Sequence, residues 1–313
     1  MTVRLGADIG GTFTDIVLEV GGRMHSTKVL TSYAAPEQAI LDGIDEVLDA
    51  AGLRYGDLEI LIHGTTLATN ALIERRGAKV AFVTTEGFRD VIEMRTESRF
   101  DQYDLNLVLP VPLVPREDRF PVAGRIGAQG QELAPLDEAA LEALADRIAA
   151  GGYGAVAIGF IHSYMNPAHE RRAREIIAAK VSLPISISSE VSPQMREFER
   201  FNTVCANAYV RPRMSDYLGR LQIRLKAKGA DCPVFMIHSG GGLISVETAA
   251  EFPVRLVESG PAGGAIFAAD VAQRFGLETV VSYDMGGTTA KICLIEGFQP
   301  KTARTFEVAR STR

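Results

Sequence analysis

Two stretches near opposite ends of this 313-residue chain repeat one another. Residues 8–18 read Asp-Ile-Gly-Gly-Thr-Phe-Thr-Asp-Ile-Val-Leu and residues 284–294 read Asp-Met-Gly-Gly-Thr-Thr-Ala-Lys-Ile-Cys-Leu, with six identities in eleven positions. Each copy follows an apolar run and precedes an alternating one, so each predicts a β-hairpin that turns at Gly-Gly-Thr. Turn chemistry alone accounts for one such copy; it does not account for matched flanks around two.

The repeat points to phosphate chemistry. Glycine has no Cβ to hold a ligand away, so backbone N–H groups at Gly10, Gly11, Gly286 and Gly287 can face phosphate oxygens as an anion-binding nest. Thr12 and Thr288 add hydroxyl donors, and Thr14, Asp15, Thr289 and Lys291 complete the two candidate cofactor-binding segments. Asp8 and Asp284 end the incoming strands. Either can hold Mg2+ partly through water, because that hard cation keeps several waters and takes only one or two carboxylates beside phosphates.

Between the copies the pattern alternates. Ile60–Ile62, Lys79–Thr84, Ala155–Ile161, Ile185–Ile187 and Val234–Ile237 read as strands. A helix should follow the first hairpin directly, entered at Pro36, with Ile40, Ile44, Val47 and Leu48 on one face and Gly52 as its stop. Further helices are expected over Leu67–Arg75, Asp137–Ala150, from Asn166-Pro167 to Lys180, over Met195–Lys228 with a bend near Pro212, and over Ser259–Phe275. Residues 94–131 show no period and read as a long loop with an edge strand. The class is α/β.

Composition excludes rather than identifies. A formal net charge of -6 gives no basic face for nucleic acid or an anionic membrane surface. No apolar run approaches a membrane span, and the three cysteines, Cys205, Cys232 and Cys293, form no Cys-x-x-Cys pair. A reducing, cytoplasmic setting is the expectation.

Four segments carry a family resemblance: Gly6-Ala7-Asp8-Ile9-Gly10-Gly11-Thr12-Phe13-Thr14-Asp15, His63-Gly64-Thr65-Thr66-Leu67-Ala68-Thr69-Asn70-Ala71-Leu72, Glu258-Ser259-Gly260-Pro261-Ala262-Gly263-Gly264 and Asp284-Met285-Gly286-Gly287-Thr288-Thr289. Paired Asp-x-Gly-Gly-Thr hairpins resemble the phosphate loops of the actin, sugar-kinase and heat-shock-chaperone ATPase superfamily. The intervening segments resemble its hydantoinase A/5-oxoprolinase branch, which also includes a subunit of acetone carboxylase. The resemblance implies an actin-like (ribonuclease H-like) α/β fold with duplicated domains, an N-terminal domain over 1–185 and the start of a second over 186–313. It implies ATP with Mg2+ or Mn2+, hydrolysis of a cyclic amide such as a hydantoin or 5-oxoproline through phosphorylation of the amide oxygen, and a second, hydantoinase B-like subunit in an oligomer. In that superfamily the adenosine-binding motif follows the second phosphate loop, and none is found after Lys291, so the second domain is expected to be incomplete within these residues. A ketone carboxylase subunit and a non-catalytic nucleotide-binding module are the alternative functions.

Several residues keep two readings. His63, with Thr65, Thr66 and Asn70, sits at a strand's carboxyl end, as a general acid/base and substrate contacts or as the cap of the next helix. Arg95 and Arg99 either orient an imide or carboxylate or belong to a solvated loop. Lys291 stands where many relatives have Asp, and Gly240 where Asn is expected; Lys291 either neutralises phosphate charge or is solvated. His162 and His238 have no metal-ligand spacing. His25 and His169 are read as surface residues.

Overall fold

The computed structural model describes residues 2–32, 34–96, 103–106, 109–285 and 290–303. In chain order the strands and helices are β1 Val3–Ile9, β2 Phe13–Val20, β3 Arg23–Leu30, α1 Pro36–Ala51, β4 Ile60–Thr65, α2 Leu67–Ile73, β5 Val80–Thr85, α3 Val91–Met94, β6 Arg119–Val122, β7 Arg125–Ile126, β8 Glu132–Ala134, α4 Glu138–Ala150, β9 Ala155–Gly159, α5 Ala168–Ala178, β10 Ile185–Ile187, α6 Ser188–Val191, α7 Glu197–Ala227, β11 Val234–Ile237, β12 Leu243–Ser245, α8 Val246–Glu251, α9 Ser259–Phe275, β13 Thr279–Met285, β14 Ala290–Glu296 and β15 Gln299–Pro300. The chain forms two compact units. The first holds Met1–Ala71 with Met214–Phe306, and the second is chiefly Leu72–Arg213.

In the first unit the strands are ordered β12-β11-β4-β1-β2-β3. β1 pairs antiparallel with β2 and parallel with β4, which pairs parallel with β11. The carboxyl ends of β1, β4 and β11 therefore share one edge, where α/β sheets receive ligands. A third strand, β3, intervenes before α1 where a helix was expected directly. Its alternating half-buried and exposed residues mark an edge strand, a weaker signal than the hairpin before it.

α1 shows why this hairpin is firmly seated. Ile40 and Ile44 on its inner face are wholly buried, and Gly52 ends it in the left-handed conformation, with φ 68°. The helix lies so close to β2 that a Cβ on Gly43 would sit 2.6 Å from Ile16 Cγ1. The two hairpins differ sharply here. Leu5, Ala7, Ile9, Ile16 and Leu18 are at most 4% exposed, whereas their counterparts Val281, Tyr283, Met285, Ile292 and Leu294 are 40–71% exposed.

The second unit is built on the parallel sheet β10-β9-β5-β6. Ala81, Val83, Val156 and Ile158 pack with Leu141, Leu144 and Ile148 of α4 and Ile177 of α5. Asp137 caps α4 by accepting the Ala140 N–H at 3.0 Å. The region read as a long loop supplies the edge strand β6 and the short strand β7, which pairs with β8 just beyond it. α2 ends at Ile73 rather than Arg75, which takes φ 55°. His169, read as a surface residue, is buried with Nε2 2.7 Å from Glu132 Oε1. The long helix α7 does contain Pro212. Among the described residues no helix is long and apolar enough to cross a membrane.

The contact at Gly43 yields a prediction. Gly43→Ala should destabilise the chain by about 1–3 kcal/mol through overpacking against Ile16, although alanine is the better helix former. Urea unfolding checks it; a rise in the midpoint would contradict it.

Candidate functional site

The two repeated hairpins share one register. Across the first ladder Asp8 lies opposite Asp15, and across the second Asp284 lies opposite Lys291. Matched flanks have thus become a matched ladder register with one charge reversed. Like charges directly opposite in a sheet are unfavourable. In the first copy β3 answers with Lys28, which pairs with Asp15 in register and places Nζ 2.5 Å from its carboxylate.

Lys28 offsets Asp8 only in part, since its ion pair is with Asp15. Asp8 reaches solvent at the strand end, yet the surrounding protein strips enough water to raise its pKa above the ordinary carboxylate range, and the charges of Asp15 and Asp284 raise it further against Lys28. Gly64 of β4 makes room for it. A Cβ there would lie 2.8 Å from Asp8 Oδ1 and 3.8 Å from Ile237 Cδ1, so this carboxylate rests against bare backbone. Desolvated oxygen donors crowded by like charge fit a hard divalent cation. Among the described residues no group of three His, Cys, Asp or Glu side chains forms a ready-made metal cage.

The turn between β1 and β2 is closed by its own backbone. The Gly10 N–H donates to Phe13 O at 2.9 Å, so it is engaged in the turn, and a Cβ on Gly10 would meet that oxygen at 3.0 Å. Thr12 is exposed at the tip and its carbonyl accepts from the Thr31 N–H. Thr14 points inward: it is fully buried, with Oγ1 2.9 Å from Thr31 Oγ1. Of the second turn, Gly286, Gly287, Thr288 and Thr289 lie outside the described residues.

His63 precedes Gly64 and, because strand side chains alternate, projects from the opposite face to Asp8. It is fully buried. Nδ1 lies 3.1 Å from Ala7 O and Nε2 lies 2.6 Å from Tyr217 Oη of α7. A carbonyl can only accept, so Nδ1 carries the proton and Nε2 accepts from the phenol. Burial pushes the imidazole pKa down to about 4 and the Tyr217 phenol well above its ordinary value, leaving both neutral. The pair therefore braces the carbonyl next to Asp8.

Thr65 and Thr66 also turn to local structure. Thr65 Oγ1 accepts the Leu67 N–H at the start of α2, and Thr66 donates its hydroxyl to Ile9 O at 3.1 Å. Asn70 Nδ2 donates to Thr66 Oγ1 at 3.4 Å. Ser259, at the start of α9, donates to Thr65 O at 3.0 Å. Lys291 Nζ is 2.6 Å from Glu258 Oε2, which turns with φ 64° just before α9. Arg95 belongs to the second unit and donates to Pro110 O, and Arg99 lies outside the described residues. Lys28, Tyr217 and Glu258 join the site only through the fold. Only Glu258 had a signal, its place in the Glu-Ser-Gly-Pro-Ala-Gly-Gly segment.

Known proteins share this chain's sequence and fold. A family model described as the hydantoinase/oxoprolinase N-terminal region matches residues 4–181, and one described as hydantoinase/oxoprolinase matches 200–312. The caprolactamase subunit alpha of Pseudomonas jessenii is 38% identical over 98% of this chain and 45% of its own length. The crystal structure of the ATP-dependent caprolactamase from that organism superposes with TM-score 0.84 over 93% of this chain and 43% of that one. The 5-oxoprolinase of Saccharomyces cerevisiae is 29% identical over 93% of the chain and 25% of its own length. The nucleotide-free structure of acetone carboxylase superposes with TM-score 0.85 and 26% identity over 95% of this chain and 44% of that one. The chain thus spans less than half the length of each of these relatives.

The buried imidazole gives a pH prediction. His63 takes up a proton far more readily unfolded than folded, so wild type should lose stability as pH falls from about 6.5 towards 4. Between pH 7 and 4.5 that loss should be about 2–3 kcal/mol greater than in His63→Gln. Urea unfolding at both values checks this; parallel losses would contradict it.

Proposed function

The chain belongs to the hydantoinase/oxoprolinase family, and on that premise we propose that it carries the nucleotide-phosphate site of an ATP-dependent enzyme that opens a cyclic amide. The single observation behind this reading is the Asp8 carboxylate, partly stripped of water and set against the bare backbone of Gly64 at the carboxyl edge of the sheet. Asp8 and Asp284 would hold Mg2+, or Mn2+ in its place, partly through water. Gly10, Gly11 and Thr12 would line the phosphates with Gly286, Gly287, Thr288 and Thr289. Asp15 sets the charge opposite Asp8, Thr14 braces the turn, and Lys291 with Glu258 tempers the charge beside Asp284.

Bound ATP with Mg2+ would supply a phosphoryl group for the amide oxygen, making the ring carbon electrophilic enough for water to add and the C–N bond to break, the ring nitrogen leaving as the amine and the phosphate being released by hydrolysis. Such transfer asks the protein mainly for positioning and charge neutralisation. His63 contributes by positioning: its neutral ring, held by Tyr217, fixes the Ala7 carbonyl and so the adjoining Asp8. Thr65, Thr66 and Asn70 hold the β4–α2 corner in the same way. Arg95 and Arg99 belong to the substrate side of this reading. Two relatives support partner subunits: one is named subunit alpha, and the acetone carboxylase of Xanthobacter autotrophicus includes a matching beta subunit. A soluble cytoplasmic complex with a second, hydantoinase B-like subunit follows from the same proposal.

The likeness to acetone carboxylase keeps a ketone carboxylase subunit as a second reading. Phosphate release from ATP, measured with the chain and its co-purifying partner, separates the two. Stimulation by hydantoin, 5-oxoproline or ε-caprolactam is the expected result, and Asp8→Asn should lower that turnover at least about 100-fold, on the scale of a lost charge-stabilising group. Stimulation only by a ketone with bicarbonate would favour the second reading. No turnover with either would overturn both.

A further inference from the structure

The second unit holds a cavity that the phosphate site does not use. It measures about 310 Å3, at the small end of the range for ligand sites. Phe88 and Val91, which follow β5, Ile161, which follows β9, and Phe198 in the first turn of α7 supply its apolar wall. Its place in the topology is telling. The sheet order is β10-β9-β5-β6, so the chain steps from β5 to β6 on one side and from β9 to β10 on the other. The carboxyl ends of β5 and β9 flank a topological switch point, the crevice where open α/β sheets take ligands.

Two polar features of the wall point to a ligand. Arg95 and Arg196 both line the cavity with left-handed backbone, at φ 58° and 84°. Non-glycine residues rarely adopt this conformation, and it concentrates at ligand clamps. Arg95 spends its guanidinium on Pro110 O, whereas the Arg196 side chain is exposed. Glu199 also lines the cavity, and its Oε2 is buried with no hydrogen-bond partner. A buried carboxylate oxygen without a donor is a rare and costly arrangement. Glu197 beside it is already bound to Arg200.

We infer that this cavity recognises the amide edge of a small cyclic amide. A small ring holds its amide cis, so N–H and C=O project from the same edge. A carboxylate can only accept and a guanidinium can only donate. Glu199 would take the ring N–H, Arg196 would donate to the ring carbonyl, and the apolar wall would meet the rest of the ring. This inference rests on the cyclic-amide reading above and adds the subsite that selects the ring.

The test is calorimetric titration of the 313-residue chain, without nucleotide, with hydantoin, 5-oxoproline and ε-caprolactam, each beside its fully N-methylated counterpart. At least one parent amide should bind, with its methylated form about tenfold weaker or worse, the effect of removing one hydrogen bond to a charged group. Glu199→Gln and Arg196→Met should each weaken the parent about tenfold, with melting temperature unchanged. Binding should survive Asp8→Asn, which separates this site from the phosphate site. Absence of binding by every parent amide, equal binding of methylated forms, or wild-type affinity in both cavity variants would overturn the inference. If amide-stimulated ATP turnover persists unchanged in both variants, the cavity assignment falls and the ATP reading stands. If the chain binds the amide through Glu199 and Arg196 but never binds nucleotide, the cavity assignment stands and the ATP reading falls.

Discussion

Asp8 opposite Asp15 is the constraint around which the first unit is arranged. Two carboxylates facing each other across a ladder repel, and the sheet keeps them because β3 brings Lys28 to one and leaves the other against the bare backbone of Gly64. The surface ion pair itself adds little stability, since both partners are about half exposed. Its effect is directional: it satisfies Asp15 and leaves negative charge concentrated at Asp8. The second hairpin has the same register with Lys291 in place of that aspartate, so the two copies are geometrically alike and electrostatically distinct.

The other face of the same strands does the holding. Alternation sends Asp8 to one side and Ala7 and His63 to the other, where α1 and α7 pack. The Tyr217–His63–Ala7 chain of hydrogen bonds is fully buried and neutral, so it fixes the end of β1 without adding charge beneath the carboxylates. A histidine at a strand's carboxyl end invites an acid/base assignment. Its parity along the strand decides otherwise, because the neighbour of a glycine that cradles Asp8 cannot project from the same face.

Much of the architecture was legible because it rests on local pattern. The hairpins, α1 with its Gly52 stop and the span of α9 follow from alternation, helical spacing and end signals that a short window contains. β3 was overlooked because a half-exposed edge strand alternates only weakly. His169 was misread because its burial depends on Glu132, 37 residues away. The candidate site divides in the same way. Asp8, Asp284 and the glycines are visible as a repeat. Tyr217 is not, since it meets His63 across 154 residues and carries no motif. The opening at the switch point of the second unit emerges only once strand order is known.

Whether the Asp8 cluster is the cation site of a bound nucleotide is decided by titrating Mn2+ in the presence of ADP. Electron paramagnetic resonance follows the free ion for wild type, Asp8→Asn and Gly64→Ala. The last variant leaves every carboxylate in place and only pushes a methyl group toward Asp8 Oδ1, where it would stand 2.8 Å away. Wild type should bind Mn2+ in a nucleotide-dependent way. Binding should be about tenfold weaker in Gly64→Ala and lost in Asp8→Asn, as expected for displacing and then removing a charged ligand. Equal Mn2+ affinity in all three proteins would contradict the assignment.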